Sequence, residues 1–278
     1  MNRQPLISVA ELRAQQASQA QPVLLDCGFD LADTAAGERA YAAGHLPGAV
    51  YAHLDRDLAG VKSGHNGRHP LPARAALAAR MGAWGITPGV PVVCLDDHGG
   101  VYAARAWWLL RWMGHADVAV LDGGRGAWLA AGGALERGAA SRGAQPPYPA
   151  LPAAEATVDA PTLQSRLGRL VLLDARAAER FRGEVEPLDP VAGHIPGAIN
   201  RHFKDNLGAD GRFKPAAMLR AEFTALVAGG EVVHSCGSGV TACHNLLAMV
   251  HAGLASGTLY PGSWSEWCSD RRRAVARG

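Results

Sequence analysis

The sequence predicts an α/β protein of two tandem domains, each a mainly parallel sheet with helices on both faces. Two observations predict this. Short apolar runs bounded by turn residues alternate with helical patterns, as expected for a parallel sheet that is covered on both sides. The pattern also occurs twice. Val23-Leu24-Leu25-Asp26 recurs as Val171-Leu172-Leu173-Asp174, and Gly44-His45-Leu46-Pro47-Gly48-Ala49 recurs as Gly193-His194-Ile195-Pro196-Gly197-Ala198. Pro91-Val92-Val93 matches Glu231-Val232-Val233, and Leu121-Asp122-Gly123-Gly124 loosely matches Leu259-Tyr260-Pro261-Gly262. The offset falls slowly from about 149 to about 138, which means duplicated domains with loop deletions and not a solenoid.

In the first copy, Leu12 with Ala10 and Ala14 marks a short helix, and residues 23–25 read as a buried strand. A helix follows at 75–82, a strand at 92–95, a strongly apolar helix at 103–113 and a strand at 118–121. The second copy repeats this with strands at 170–173, 231–235 and 257–259 and helices at 215–227 and 241–252. The Gly-His-x-Pro-Gly-Ala segments specify a tight turn into a short strand. His45 and His194 stand in both copies, so they read as hydrogen-bonding partners of that turn and not as catalysts. Four prolines in seven residues, Pro146 to Pro152, make an extended linker. The expected division is residues 1–140, a linker at 141–156, and residues 157–278.

A net charge of +2 gives no electrostatic case for nucleic acid. Five cysteines with no C-x-x-C pair argue against both a disulfide framework and a zinc site. No segment has signal-peptide character or the length of a membrane span. A cytoplasmic protein without metal or cofactor is expected.

The chemistry centres on His234-Ser235-Cys236-Gly237-Ser238-Gly239-Val240-Thr241-Ala242-Cys243-His244, directly after the apolar Val232-Val233. A cysteine at a strand end, a loop with two glycines and a helix starting near Thr241 favour a thiolate. The helix N-terminus supplies N–H groups and a positive dipole end. Gly237 and Gly239 let successive N–H groups point into the loop, as in an anion-binding nest. A core cysteine would not need Cys-Gly-Ser-Gly after it.

Three classes use a cysteine in such a cradle. A cysteine phosphatase needs Cys-x5-Arg, and the sixth residue after Cys236 is Ala242, which counts strongly against phosphoryl chemistry. Sulfur transfer needs a thiolate that becomes a persulfide, its outer sulfur held by the N–H groups of residues 237–241. The third class is a non-catalytic module used for binding or regulation.

Cys236-Gly237-Ser238-Gly239-Val240-Thr241-Ala242 resembles the active loop of the rhodanese-like sulfurtransferases, and most closely the 3-mercaptopyruvate branch, which carries Cys-Gly-Ser-Gly-Val-Thr. The thiosulfate-preferring branch has two basic residues directly after the cysteine. The resemblance implies two rhodanese-like domains, with Cys236 as nucleophile and Gly237, Gly239, Val240 and Thr241 around the transferred sulfur. Asp96 aligns with Cys236 on the Val-Val strand, so the first domain is expected to be silent, as in the two-domain rhodaneses. Asp96, Asp97 and His98 sit on one tight turn and are not expected to converge on a metal ion.

The resemblance further implies a relay of Ser238, Asp55 and His69 that would protonate the departing pyruvate enolate. It implies two arginines for the donor carboxylate. Arg180 matches the first. The second should follow Glu186-Pro187, where this chain has Leu188 and Asp189. Arg182 or Arg201 is the expected substitute. The donor reading is 3-mercaptopyruvate, with thiosulfate the alternative, and the acceptor is cyanide, a small thiol or a thioredoxin-type partner. Cys94 and Cys243 read as core residues, and Cys268 as exposed and oxidisable.

Overall fold

In the computed structural model, which describes residues 4–140 and 142–278, the duplicated pattern becomes two sheets of identical topology. The first repeat runs β1 (Leu6–Ile7), α1 (Val9–Gln16), β2 (Val23–Asp26), α2 (Ala36–Ala43), β3 (Ala49–Tyr51), α3 (Leu54–Asp57), α4 (Arg74–Ala83), β4 (Val92–Leu95), α5 (Val101–Trp112), β5 (Val118–Leu121) and α6 (Gly124–Ala130). The second runs β6 (Ala156–Thr157), α7 (Ala160–Arg166), β7 (Val171–Asp174), α8 (Ala178–Phe181), β8 (Ala198–Asn200), a 3-10 turn (Phe203–Asn206), α9 (Ala216–Val227), β9 (Val232–Ser235), α10 (Thr241–His251), β10 (Thr258–Leu259) and α11 (Ser263–Trp267).

Both sheets are wholly parallel, in the orders β1-β5-β4-β2-β3 and β6-β10-β9-β7-β8. Val-, Leu- and Ile-rich strands suit this arrangement, because each central strand is buried on both faces and needs no polar alternation. Helix starts follow local capping. Ser8 and Glu11 form a reciprocal capping box on α1. The Asp159 carboxylate accepts the Thr162 N–H at 2.9 Å on α7. Leu12, Leu24, Val93, Ala119 and Trp128 centre the first core. Leu163, Leu172, Val233, Tyr260 and Trp264 centre the second.

The chain forms two compact units. The first comprises the residues up to Gly60, Pro72–Ala154 and Ala209–Phe213. The second comprises Val61–Leu71, Glu155–Gly208 and Lys214–Gly278. The proline-rich linker lies along the first unit, with the Tyr148 N–H donating to Ala78 O at 2.9 Å. Its first expected residue, 141, falls outside the described residues.

The histidines of the two repeated turns are structural. His45 Nδ1 lies 2.9 Å from Tyr41 O, and its ring stacks on Tyr41. His194 Nδ1 lies 2.8 Å from Phe181 O, and its ring stacks on Phe181. Among the described residues, no helix is long and apolar enough to cross a membrane.

Candidate active site

The site of the second unit is built at the carboxyl ends of its strands, where parallel sheets place their ligands. Cys236 directly follows β9 and is 1% exposed. Its Sγ accepts the Gly239 N–H at 3.1 Å and the Ser238 N–H at 3.4 Å. Val240 and Thr241 open α10, so their N–H groups have no acceptor within the helix. Gly239 has φ +79°, and a Cβ there would fall 2.4 Å from Pro261 O. Only glycine allows this curl against the β10–α11 connection.

That connection contributes Ser263, a residue the sequence reading missed. Its Oγ accepts the Cys236 N–H at 3.0 Å and donates to Tyr260 O at 2.9 Å. It does so from a left-handed backbone, φ +52°, that a serine rarely adopts. In the first repeat the residue opening the matching helix is Gly124, at φ +55°. The shared left-handed φ thus carries a hydroxyl only in the repeat whose strand-end loop begins with a cysteine.

Arg176 was also missed. It follows β7, and its buried guanidinium holds Asp174 at 2.7 Å and Glu186 at 3.4 Å while lying over the Trp264 ring. Burial pulls Arg176 down, but Asp174 first, and then Glu186 and Cys236, hold it above the ordinary arginine range. A permanent positive charge therefore lies near Cys236. The first repeat has Gly28 at the matching place. Its strand-end carboxylate, Asp26, has no such partner and is pushed up to about 6, chiefly by burial.

The segment Val61–Leu71 supplies the other side of this site. His69 is buried, and its Nδ1 lies 2.7 Å from Ser238 Oγ. The Arg68 N–H donates to Ser265 Oγ at 3.0 Å. Asp55 lies on α3 of the first unit, half-buried, with its N–H donating to His53 Nδ1 at 3.1 Å.

The expected substitute arginines serve elsewhere. Arg182 forks onto Glu184 at 2.7 and 2.8 Å, and Arg201 pairs with Glu222 at 2.6 Å. Arg180 does face the loop, since a Cβ on Gly237 would meet its Nη1 at 3.5 Å. Cys243 packs in the core and donates to Gly239 O at 3.3 Å. Cys268, expected to be exposed, is buried, and burial pushes its thiol up to about 11. The chain end turns back onto this unit, where Ala276 bridges His194.

The loop of the first repeat has the same length and a left-handed glycine at the same place, Gly99 at φ +72°. It enters its helix through left-handed Gly100 at φ +91°, where the second repeat has Val240 at φ −87°, and its filling differs. Asp96 Oδ1 accepts the N–H groups of His98 and Gly100 at 2.7 and 2.9 Å. Its Oδ2 accepts those of Tyr102 and Ala103, both at 2.8 Å. One buried carboxylate therefore occupies that nest. Asp97 instead pairs with Arg125. Among the described residues, no group of three His, Cys, Asp or Glu side chains could hold a metal ion.

The rhodanese-like domain model matches residues 8–131 and again residues 159–270. The chain belongs to the rhodanese-like family. A Pseudomonas aeruginosa protein with the provisional name of 3-mercaptopyruvate sulfurtransferase is 52% identical over the full length of both chains. A Mycobacterium tuberculosis protein, provisionally named as the thiosulfate sulfurtransferase SseB, is 43% identical, covering 99% of this chain and 98% of its own. The solved 3-mercaptopyruvate sulfurtransferase from Leishmania major superposes with a TM-score of 0.82 at 32% identity, covering 94% of this chain and 73% of that one.

Proposed function

We infer that this sulfurtransferase takes its sulfur from 3-mercaptopyruvate and carries it as a persulfide on Cys236. The observation that carries the reading is the setting of Cys236 Sγ. It is buried, accepts two loop N–H groups and lies near the fixed charge of Arg176. Such a site stabilises a thiolate before the reaction and a persulfide anion after it. The residue six positions on is Ala242, so the loop lacks the guanidinium that phosphoryl transfer requires.

The Cys236 thiolate attacks the donor thiol sulfur. The donor C–S bond breaks, and its electron pair passes to the enolate carbon of pyruvate. The thiol proton reaches that carbon through the Ser238–His69 pair, whose 2.7 Å contact suits proton exchange. The products are pyruvate and the Cys236 persulfide anion. An acceptor such as cyanide, a small thiol or a thioredoxin-type protein then takes the outer sulfur and restores the thiolate. The neutral Gly237-Ser238 pair favours a carboxylate donor over thiosulfate, whose sulfonate dianion would call for cations after the cysteine. The resemblance also assigns Asp55 to the relay, and D55N tests that assignment. The first repeat takes no sulfur in this scheme, because Asp96 replaces the nucleophile.

The test combines intact-mass spectrometry with steady-state kinetics. Wild type incubated with 3-mercaptopyruvate gains one cyanide-labile sulfur per chain, and Cys236→Ser gains none. With cyanide as acceptor, kcat/KM is larger for 3-mercaptopyruvate than for thiosulfate. A larger value for thiosulfate sinks the donor assignment and leaves the persulfide mechanism standing. No sulfur uptake from either donor points to a binding module.

A further inference from the structure

We propose that residues 274–278 form a clasp that positions Arg176 near Cys236, with Arg277 as a positioning residue for the reaction. This rests on the reading that a Cys236 thiolate starts the reaction, and not on the choice of donor. The need for a clasp lies in the sequence. In the first repeat, α2 fills the eight residues before Gly44 of the repeated turn. The matching stretch before Gly193 contains Pro187 and Pro190, which have no N–H to give to a helix. Accordingly α8 stops at Phe181, and residues 182–192 are irregular. They carry Glu186, a carboxylate partner of Arg176. Outside a helix, their carbonyl groups need donors from elsewhere.

Residues 274–278 supply such donors. Ala276 exchanges both backbone hydrogen bonds with His194, at 2.8 and 3.0 Å. The Arg277 Nε–H donates to Ala192 O at 3.2 Å, and the Gly278 N–H donates to Arg182 O at 3.1 Å. The irregular stretch is thus held at both of its ends. The approach is close enough to require glycine, because Gly193 has φ +128° and a Cβ there would fall 2.4 Å from Ala276 O. The clasp is itself seated by Trp267, whose Nε1–H donates to Ala274 O at 2.9 Å.

What the clasp holds leads to the nucleophile. Gly193 O accepts Arg176 Nη2 at 2.8 Å. Val191 O accepts the Trp264 Nε1–H at 2.9 Å, and the Arg176 guanidinium lies over that same ring. The Trp264 backbone N–H in turn donates to Cys236 O at 2.9 Å. The first repeat has the same segment as Leu135-Glu136-Arg137-Gly138, and Glu136 exchanges both bonds with His45 at 3.0 Å. There it meets α2, whose carbonyl groups are largely satisfied within the helix. Gly44 O accepts not a strand-end arginine but Arg125 of α6, at 2.8 Å. The bridge therefore belongs to the fold, and only the second repeat uses it to hold irregular chain against a cation near a cysteine.

The experiment compares wild type with a deletion of residues 275–278, with Arg277→Ala and with Arg277→Lys, each first confirmed folded by its unfolding transition. Alkylation of Cys236 by iodoacetamide is followed across pH by intact mass, with Cys236→Ser as the blank for the other cysteines. A merely structural role would lower the unfolding transition and leave this profile in place. We expect the deletion to move the profile to higher pH by about half a unit or more, because the cation near the thiolate is no longer held. Persulfide formation slows about tenfold in the same variant. Arg277→Ala shifts the profile in the same direction by less, and Arg277→Lys, which still carries a donor for Ala192 O, stays near wild type. If the deletion does not fold, Arg277→Ala and its rescue by lysine carry the test. In an Arg176→Gln/Asp174→Asn background, which removes the cation with its nearest carboxylate, the same changes add no further shift. An unchanged profile in folded Arg277→Ala and in the folded deletion overturns the proposal, and so does an equal shift with and without Arg176. If wild type takes sulfur from no donor, the functional reading falls, while the alkylation profile still decides the clasp.

Discussion

Replacing Asp96 with Asn tests whether the strand-to-helix loop of this fold is an anion receptor. Four backbone N–H groups converge on the Asp96 carboxylate at 2.7–2.9 Å. Asparagine keeps one oxygen, which can still accept two of them. Its NH2 group faces the other two, so donor meets donor. Each buried N–H left unmatched costs about 1–3 kcal/mol, so Asp96→Asn is expected to lose about 2–6 kcal/mol. Against a domain stability of about 5–15 kcal/mol, that is a large fraction. Urea unfolding followed by tryptophan fluorescence reads it, because Trp107 and Trp108 lie buried on the helix that starts at this loop. Asp96→Gly empties the nest, and formate should refill it. Formate at a hundred times its dissociation constant would restore about 2.7 kcal/mol to this variant and nothing to wild type. A loss below about 0.5 kcal/mol in Asp96→Asn, or equal effects of formate on Asp96→Gly and wild type, would refute the reasoning.

Three further outcomes follow from the same geometry. Asp26 is pushed from 3.8 up to about 6 in the folded protein, so the native state binds more protons than the unfolded state between those values. Stability therefore falls as pH rises from about 4 through about 6, by about 3 kcal/mol. Asp26→Asn should be the more stable protein at pH 7.5 by up to that amount, with the gap closing below pH 4 in urea titrations. Gly239→Ala drives a Cβ to 2.4 Å from Pro261 O at φ +79°, so at least a tenfold fall in kcat/KM is expected in the donor assay. Ser263→Gly relieves a left-handed serine but removes the acceptor of the Cys236 N–H. Its unfolding free energy should stay within about 1 kcal/mol of wild type, while the rate of persulfide formation falls about three- to tenfold.

The sequence made the central strands legible because a parallel sheet asks for unbroken apolar runs, as in Val92–Leu95 and Val171–Asp174. The strands Leu6–Ile7 and Ala156–Thr157 were not legible, since two residues carry no periodicity. Their pairing comes from the neighbours β5 and β10. The Cys236 loop announced itself through its glycines, and local chain geometry then fixed the sulfur's partners. Arg176, Ser263 and Arg68 were missed because separate strand ends and the 61–71 segment bring them to the loop. A signal for one of them was nonetheless present. Arg176 faces Gly28 across the duplication, whereas the loose match of residues 121–124 to 259–262 hid the pairing of Ser263 with Gly124, which only the helix starts reveal. Cys268 misled because closeness to the chain end suggested exposure, whereas Ala276 folds back to bridge His194.

These differences between the repeats decide whether the first could be made to react. Asp96→Cys would place a thiol in a nest that already has four N–H groups aimed at it. Two supports would still be absent. Gly28 stands where Arg176 supplies a buried charge, so the thiolate would be stabilised by the loop dipoles alone. Nor can a serine be added at 124, because a Cβ there would fall 1.9 Å from the backbone oxygen of residue 96. In the second repeat Ser263 already occupies that position and accepts the strand-end N–H. The strand end and the following helix have therefore settled into different spacings in the two copies, which side-chain exchange alone does not undo. Asp96→Cys in a Cys236→Ser background should gain less than one-tenth of a cyanide-labile sulfur per chain from 3-mercaptopyruvate by intact mass. Stoichiometric loading of the introduced thiol would show that the loop by itself makes the nucleophile, and the supporting roles of Arg176 and Ser263 would fall.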